Sequence, residues 1–507
     1  MSPVCRRFSA TLLITYISLS GAAFMSPVAA QSTEKMDRFE SFYHEVFDLK
    51  TRLGVPGLAY VIIKDGEVLA NREMGYEDAE SEIPYSSTTL QDIASIAKIF
   101  VASLLLKLEQ DGQINLSDPV IQYDRSLDVP PEVTIGHILT HTSEGLIGQE
   151  FVYGSTRFGM LVNVIEGATN RPFEDVLDEL ILRPAGMKLH PSPAGPSSMW
   201  MFSTLQDMTK YVQALDSGVL LNSRALARLI TASRNSDGHV LPVSLGWFTQ
   251  QFKGERVMWS YGQDDTAGGL LLRVPGRGIS LYLQANSGVL SDPFRLLMGN
   301  VERSPLAHSF MRLFVFSGEE LIPQPDFQSA SLIDELEEIE KTHSYTFESE
   351  LLAQAPLFSF TGNQDQAALM YQVVRDRYAI NESSDIVSHF YFANFMGDLF
   401  LDAGIEMGNS LLIRHPNNRW ILDSQAMLFA RAGKKDQAIM LYEHILELPN
   451  QQKDRLHHRF GCWTKLPLAK LLVESNLDRA KKYLSEIMED PLGCYNSEDA
   501  AALLGRW

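Results

Sequence analysis

The chain has 507 residues, 45% of them hydrophobic and 21% charged, and a formal net charge of -20. That length allows two to four domains, and the balance is that of a globular protein. A surface this acidic repels phosphates and anionic lipid, which argues against a nucleic-acid partner; the acidity is read as keeping the chain soluble.

The first thirty residues stand apart. Arg6 and Arg7 precede an apolar stretch from Ala10 to Phe24, and Val28-Ala29-Ala30 places small residues before Gln31. This is the pattern of a signal peptide over residues 1–30. A buried helix and a membrane anchor are the alternatives, but the run is short and broken for a span, which takes about 20 apolar residues. No cysteine follows it to carry a lipid, and no later run is long enough to span a bilayer. The mature chain is therefore expected to be periplasmic or secreted, without a membrane span.

From Met36 to Leu313 strand and helix signals mix. Pro56 to Tyr76 predicts two strands joined by a tight turn at Asp65-Gly66. Ile93 to Gln110 predicts an apolar helix ending at Asp111-Gly112. Helices are expected at Phe158 to Ala168, Phe173 to Leu182 and Met208 to Asp216. Strands are expected at Val240 to Trp247, Arg256 to Tyr261, Gly269 to Val274 and Ile279 to Asn286, the last two bracketing Pro275-Gly276-Arg277-Gly278. Strands at both ends with helices between them imply an α/β (α+β) domain over residues 31–320, an antiparallel sheet with a helical subdomain inserted.

A boundary is expected between Ser317 and Ser331, where Pro323 and Pro325 interrupt both periodicities. Strand signals nearly vanish beyond it, so residues 330–507 read as all-α. Asp402-Ala403-Gly404, Arg431-Ala432-Gly433 and Glu474-Ser475-Asn476 each lead into a helix ending at a proline. Those prolines, Pro416, Pro449 and Pro491, stand 33 and 42 residues apart. Helix pairs at such periods stack into a solenoid; an ordinary helical bundle is the alternative. The segment Leu422 to Pro449 is similar to a tetratricopeptide repeat, which makes a protein partner at the tail an expectation. Cys462 and Cys494 form either a disulfide or two separate buried thiols. No Cys/His spacing resembles a zinc site, and His457-His458 reads as a helix surface or cap.

The chemistry centres on Ser95-Ile96-Ala97-Lys98. A serine hydroxyl needs a base to become a nucleophile, and a lysine one helical turn later lies on the same face. That lysine serves as a base when burial lowers its pKa. The helix start also offers unpaired N–H groups to an oxyanion. The structural alternative is that Ser95 caps the helix while Lys98 snorkels to solvent. A second such tetrad, Ser32-Thr33-Glu34-Lys35, lies in an expected flexible terminus and is read as meaningless.

Context distinguishes the two. Ile93-Ala94-Ser95-Ile96-Ala97-Lys98, followed by an apolar helix and Asp111-Gly112-Gln113-Ile114-Asn115-Leu116, resembles the serine β-lactamases and penicillin-binding proteins. Ile138-Leu139-Thr140-His141-Thr142-Ser143, Leu182 to Met187 and Leu270 to Ser287 resemble the class C β-lactamase branch, which includes D,D-peptidases, D-aminopeptidases and esterases. The resemblance covers residues 37–315. It implies Ser95 as acylated nucleophile, Lys98 as base and Tyr153 of Tyr153-Gly154-Ser155 as proton carrier, with Ser155 where the family has Asn. No metal or organic cofactor is implied.

The third family motif departs from the pattern. Gln263-Asp264-Asp265 stands where the family has Lys-Thr-Gly or His-x-Gly, so the cation that helps bind a substrate carboxylate is missing. Gln263 donates a hydrogen bond without charge, and the aspartates repel an anion. Arg157 and Arg273 are the candidates to replace the cation. Asp265 in place of Gly puts the strand's close approach to substrate in doubt, while the Thr266 N–H is expected to complete an oxyanion hole with that of Ser95. The expected substrate is a small molecule or peptide with an ester, amide or β-lactam carbonyl. The alternative is a non-catalytic cell-envelope sensor or scaffold that binds through its helical tail.

Overall fold

Asp65 and Gly66 both adopt positive φ, 49° and 84°, the backbone of a two-residue turn that matches the twist of paired strands. They join β1 (Gly57–Lys64) to β2 (Glu67–Asp78) as the sequence predicts. The computed structural model describes residues 37–378, 401–448, 457–490, 494 and 497–505, less positions 79, 150, 292, 293, 295, 297, 298 and 319. The expected signal peptide and the tetrad Ser32 to Lys35 lie outside the described residues, as do the side chains of His457 and His458.

Helix α1 (Arg38–Arg52) precedes the hairpin, and β3 (Ile83–Pro84) and β4 (Gln91–Asp92) follow it. A 3₁₀ turn, Ala94–Ile96, runs into α2 (Ala97–Gln110). The inserted helices are α3 (Ile135–Leu139), α4 (Thr156–Gly159), α5 (Leu161–Thr169) and α6 (Phe173–Leu177). The helix expected from Phe158 is thus split at Met160, and the one from Phe173 continues as a π-helical turn, Asp178–Leu182. Then come β5 (Phe202–Ser203), α7 (Leu205–Asp216), α8 (Ser223–Ile230), β6 (Phe248–Phe252), β7 (Glu255–Gln263), β8 (Gly268–Val274), β9 (Ile279–Ala285) and α9 (Pro305–Met311).

The main sheet runs β3-β2-β1-β9-β8-β7-β6, with antiparallel pairing throughout. Distant strands meet: β1 pairs with β9 in the register Val61↔Tyr282. Strands β1, β8 and β9 are buried along almost their whole length. Alternating residues therefore feed two cores. Ala59, Val61, Ile63, Leu271 and Tyr282 face α2 and the helical insertion. Leu58, Tyr60, Ile62, Leu270 and Leu272 face α1 and α9. Helix α2 is apolar nearly all round because it lies inside the first core.

One expected strand is not there. Val240 to Trp247 makes only isolated bridges, and β6 starts at Phe248. Pro242 has no N–H for a ladder, and the Ser244 N–H closes a turn on Trp247 O at 2.8 Å.

Beyond residue 330 the described elements are helical: α10 (Leu332–Thr342), α11 (Glu348–Phe360), α12 (Gln364–Arg377), α13 (Leu401–Arg414), α14 (Arg419–Arg431), α15 (Lys435–Glu447), α16 (His457–Leu472), α17 (Leu477–Met488) and α18 (Ser497–Leu504). Ala432-Gly433 and Glu474-Ser475-Asn476 stand between helices, with Arg431 the last residue of α14, but Asp402-Ala403-Gly404 is already inside α13. Cys462 and Cys494 are joined by a disulfide.

The first tail helices dock on the sheet half. Leu357 of α11 belongs to the core of α1 and α9. Arg312, fully buried, pairs with Glu45 of α1 at 2.6 Å and with the equally buried Glu350 of α11 at 3.4 Å. It also donates to Ile322 O at 2.7 Å.

Candidate active site

The turn that carries Ser95 is shaped by backbone and neighbours alone. Ala94 has φ +44°, a conformation costing a non-glycine residue about 1–2 kcal/mol. Asp92 offsets that cost by accepting the Ala94 N–H at 2.7 Å, and Trp200 donates its indole N–H to the other Asp92 oxygen. Gly262 of β7 backs the turn. A Cβ there would lie 2.4 Å from Ile93 O, so only glycine allows β7 this close. Burial raises the Asp92 pKa, and the neighbouring Asp264 carboxylate raises it further.

Lys98 Nζ donates to Ser95 Oγ at 2.8 Å and to Ser155 Oγ at 3.1 Å. Its ammonium lies 5.0 Å from the Tyr153 ring centroid and 5.7 Å from that of Phe158. Lys98 is 2% exposed, and burial pushes it down to about 8. It does not snorkel. Burial raises the Tyr153 pKa, and the side chains of Ser95 and Tyr261 beside its hydroxyl oppose that rise. Four sequence-predicted residues, Ser95, Lys98, Tyr153 and Ser155, thus form one connected group.

The third motif is placed differently. Gln263 ends β7 opposite Gly268, and Asp265 is exposed in the turn that follows. The Thr266 N–H expected to face an oxyanion instead donates to Asp264 Oδ1 at 2.7 Å, because the aspartate closes its own turn. The Thr266 hydroxyl bonds the same oxygen at 3.2 Å, and Thr266 O accepts from Gln91 Nε2 at 3.2 Å.

Both candidate arginines have partners of their own. Arg157 donates to Asp128 O at 3.2 Å and lies 3.8 Å from Glu144. Arg273 is bound to Asp216 and Ser280, five residues along β8 from Gly268, a separation of about 17 Å at strand rise.

Sequence reasoning assigned no role to His141, Tyr261, Asp92 or Trp200. His141 lies within the Leu139-Thr140-His141 stretch, and Tyr261 stands two residues before Gln263, so both sit beside motifs that the sequence shows. Nothing local marks Asp92 or Trp200.

Sheet, helical insertion and the Ser–Lys pair at the head of a buried helix together define the β-lactamase/transpeptidase class of fold. Residues 42–297 match the family model described as Beta-lactamase. The chain belongs to the β-lactamase family. It is 25% identical over 170 residues to Protein flp of Staphylococcus aureus (strain MW2), covering 26% of this chain and 34% of that protein. It is 23% identical over 263 residues to PbpX of Bacillus subtilis (strain 168), covering 41% of this chain and 66% of that protein. The matches thus span about a third and just under two thirds of these relatives. Among solved structures, an octameric penicillin-binding protein homologue from Pyrococcus abyssi superposes with a TM-score of 0.45 at 19% identity, over 55% of this chain and 80% of that one.

Proposed function

We propose that this protein is an exported serine hydrolase that works through an acyl-enzyme on Ser95. The supporting observation is the connected group Lys98–Ser95–Tyr153, with Lys98 brought down to about 8 by burial. Ser95 Oγ attacks an ester or amide carbonyl carbon as its proton passes to neutral Lys98 Nζ. The tetrahedral intermediate collapses, and the leaving group takes a proton from Lys98 by way of Tyr153. Water then attacks the acyl-enzyme, its proton following the reverse route, and Ser95 is released.

The preferred substrate lacks a carboxylate beside the scissile bond. Asp264 and Asp265 occupy the motif where the family carries a cation, and both Arg157 and Arg273 are engaged elsewhere. This favours a neutral or cationic ester or amide over an anionic β-lactam. The Cys462–Cys494 disulfide supports export, since such bonds persist in oxidising compartments. The helical tail is proposed to hold a protein partner.

The test is intact-mass labelling with a penicillin, a cephalosporin and p-nitrophenyl acetate in parallel, with Ser95→Ala as control and turnover followed in the same tubes. A Ser95 adduct and turnover with the ester, without a β-lactam adduct, is expected. A Ser95 adduct that turns over with a β-lactam overturns the substrate preference, and no adduct from any reagent overturns the hydrolase reading.

A further inference from the structure

His141 is a buried residue that the mechanism above does not use. It is 5% exposed and has φ +54°, a left-handed backbone that side chains other than Gly, Asn, Asp and His seldom adopt. That bend turns both its carbonyl and its ring toward residues 152–154. The Val152 N–H donates to His141 O at 2.8 Å, and the Gly154 N–H donates to His141 Nδ1 at 3.4 Å. The ring centroid lies 4.6 Å from that of Tyr153 and 5.2 Å from that of Phe158. These are the two rings that flank the Lys98 ammonium.

Gly154 sits between the two residues that matter. Tyr153 has its hydroxyl beside Ser95 and its ring against the Lys98 ammonium, and Ser155 accepts from Lys98. A single anchor at the Gly154 N–H therefore fixes both partners of the nucleophile–base pair. A ring nitrogen that accepts must be unprotonated. Burial, with the Lys98 charge adding to it, pushes the His141 imidazolium down to about 3, so the acceptor persists at neutral pH. Lys98 and Tyr153 are the titratable groups that face the ring.

We propose that His141 is a positioning residue: its unprotonated Nδ1 and left-handed backbone hold Tyr153-Gly154-Ser155 against Ser95 and Lys98. The proposal rests on the reading of Ser95 as nucleophile for its kinetic arm only. A loosened 153–155 segment admits water to Lys98, whose pKa then rises toward that of a free lysine.

The experiment compares His141→Asn with His141→Leu. Asn keeps an acceptor near the Nδ1 position and tolerates left-handed φ, whereas Leu fills similar space without an acceptor. His141→Gln, which carries its acceptor further out, stands in for Leu if that variant does not fold. Two readouts are taken: kcat and its pH profile with p-nitrophenyl acetate, and the titration of the Lys98 signal in protein carrying ε-¹³C-lysine, assigned by its loss in Lys98→Arg.

For His141→Leu, kcat is expected to fall about ten- to hundredfold, the scale of a small misplacement of catalytic groups, and the Lys98 titration to move to higher pH. His141→Asn is expected to stay within about threefold of the parent, with the Lys98 titration in place. Equal kcat and equal Lys98 titration in the Asn and Leu variants overturn the proposal and leave His141 a packing residue. If the parent protein forms no acyl-enzyme but the Lys98 titration moves in Leu and not in Asn, the hydrolase reading fails and the positioning role stands.

Discussion

Two buried cations lie in different regions and behave in opposite ways. Lys98, beside the candidate nucleophile, is ringed by hydroxyls and aromatic faces, and burial drives it down to about 8. Arg312, where the sheet half meets the tail, is buried more completely. Burial works against its charge too, but Glu45 and Glu350 outweigh it and keep it ionised. Desolvation without a carboxylate makes a base, whereas desolvation with two makes a structural clasp. The same contrast separates the regions: one spends stability on reactivity, the other on holding helices to a sheet.

Substitutions can break that contrast. Ser95→Ala is expected to have the largest effect, cutting ester turnover by about 10⁴-fold or more with the melting temperature unchanged; calorimetry and a stopped assay read both. Lys98→Met follows, lowering kcat by about 10²–10⁴-fold while the melting temperature holds or rises, since an ammonium no longer needs burying. On the reading of Lys98 as base it must be neutral to act, so kcat/KM of the parent protein is expected to climb with pH through about 8 and then level off; a profile flat from pH 6 to 9 would count against Lys98 as base.

Arg312→Met inverts the pattern. It strands Glu45 and Glu350 without their cation and should cost about 3–5 kcal/mol of stability in denaturant titration, with kcat of the folded fraction preserved. The smallest effect is expected in the tail. Replacing Cys462 and Cys494 together by Ser should cost about 2–4 kcal/mol without altering ester turnover. A kcat change there would mean that the tail reaches the active site.

The features readable from sequence are those set by neighbours along the chain. Ser95 and Lys98 lie one turn apart, and a strand–Asp65-Gly66–strand hairpin is local, so backbone geometry connects each pair whatever the rest of the chain does. The strand expected at Val240 to Trp247 failed because apolar composition says nothing of the turn closed by Ser244 and Trp247. The Thr266 N–H was lost to Asp264 through a short side-chain turn that competes with any other use of the donor.

The sequence by itself determined the strand signals, the Ser95 to Lys98 tetrad and the absence of a cation from the third motif, and through resemblance it pointed to Tyr153 and Ser155. Only the tertiary structure decided that Lys98 is buried and its pKa lowered, that His141 and Tyr261 stand beside Tyr153, that Cys462 meets Cys494, and that Arg312 is caught between Glu45 and Glu350. Each of these depends on which distant segments exclude water from one another, and spacing along a chain does not encode that exclusion.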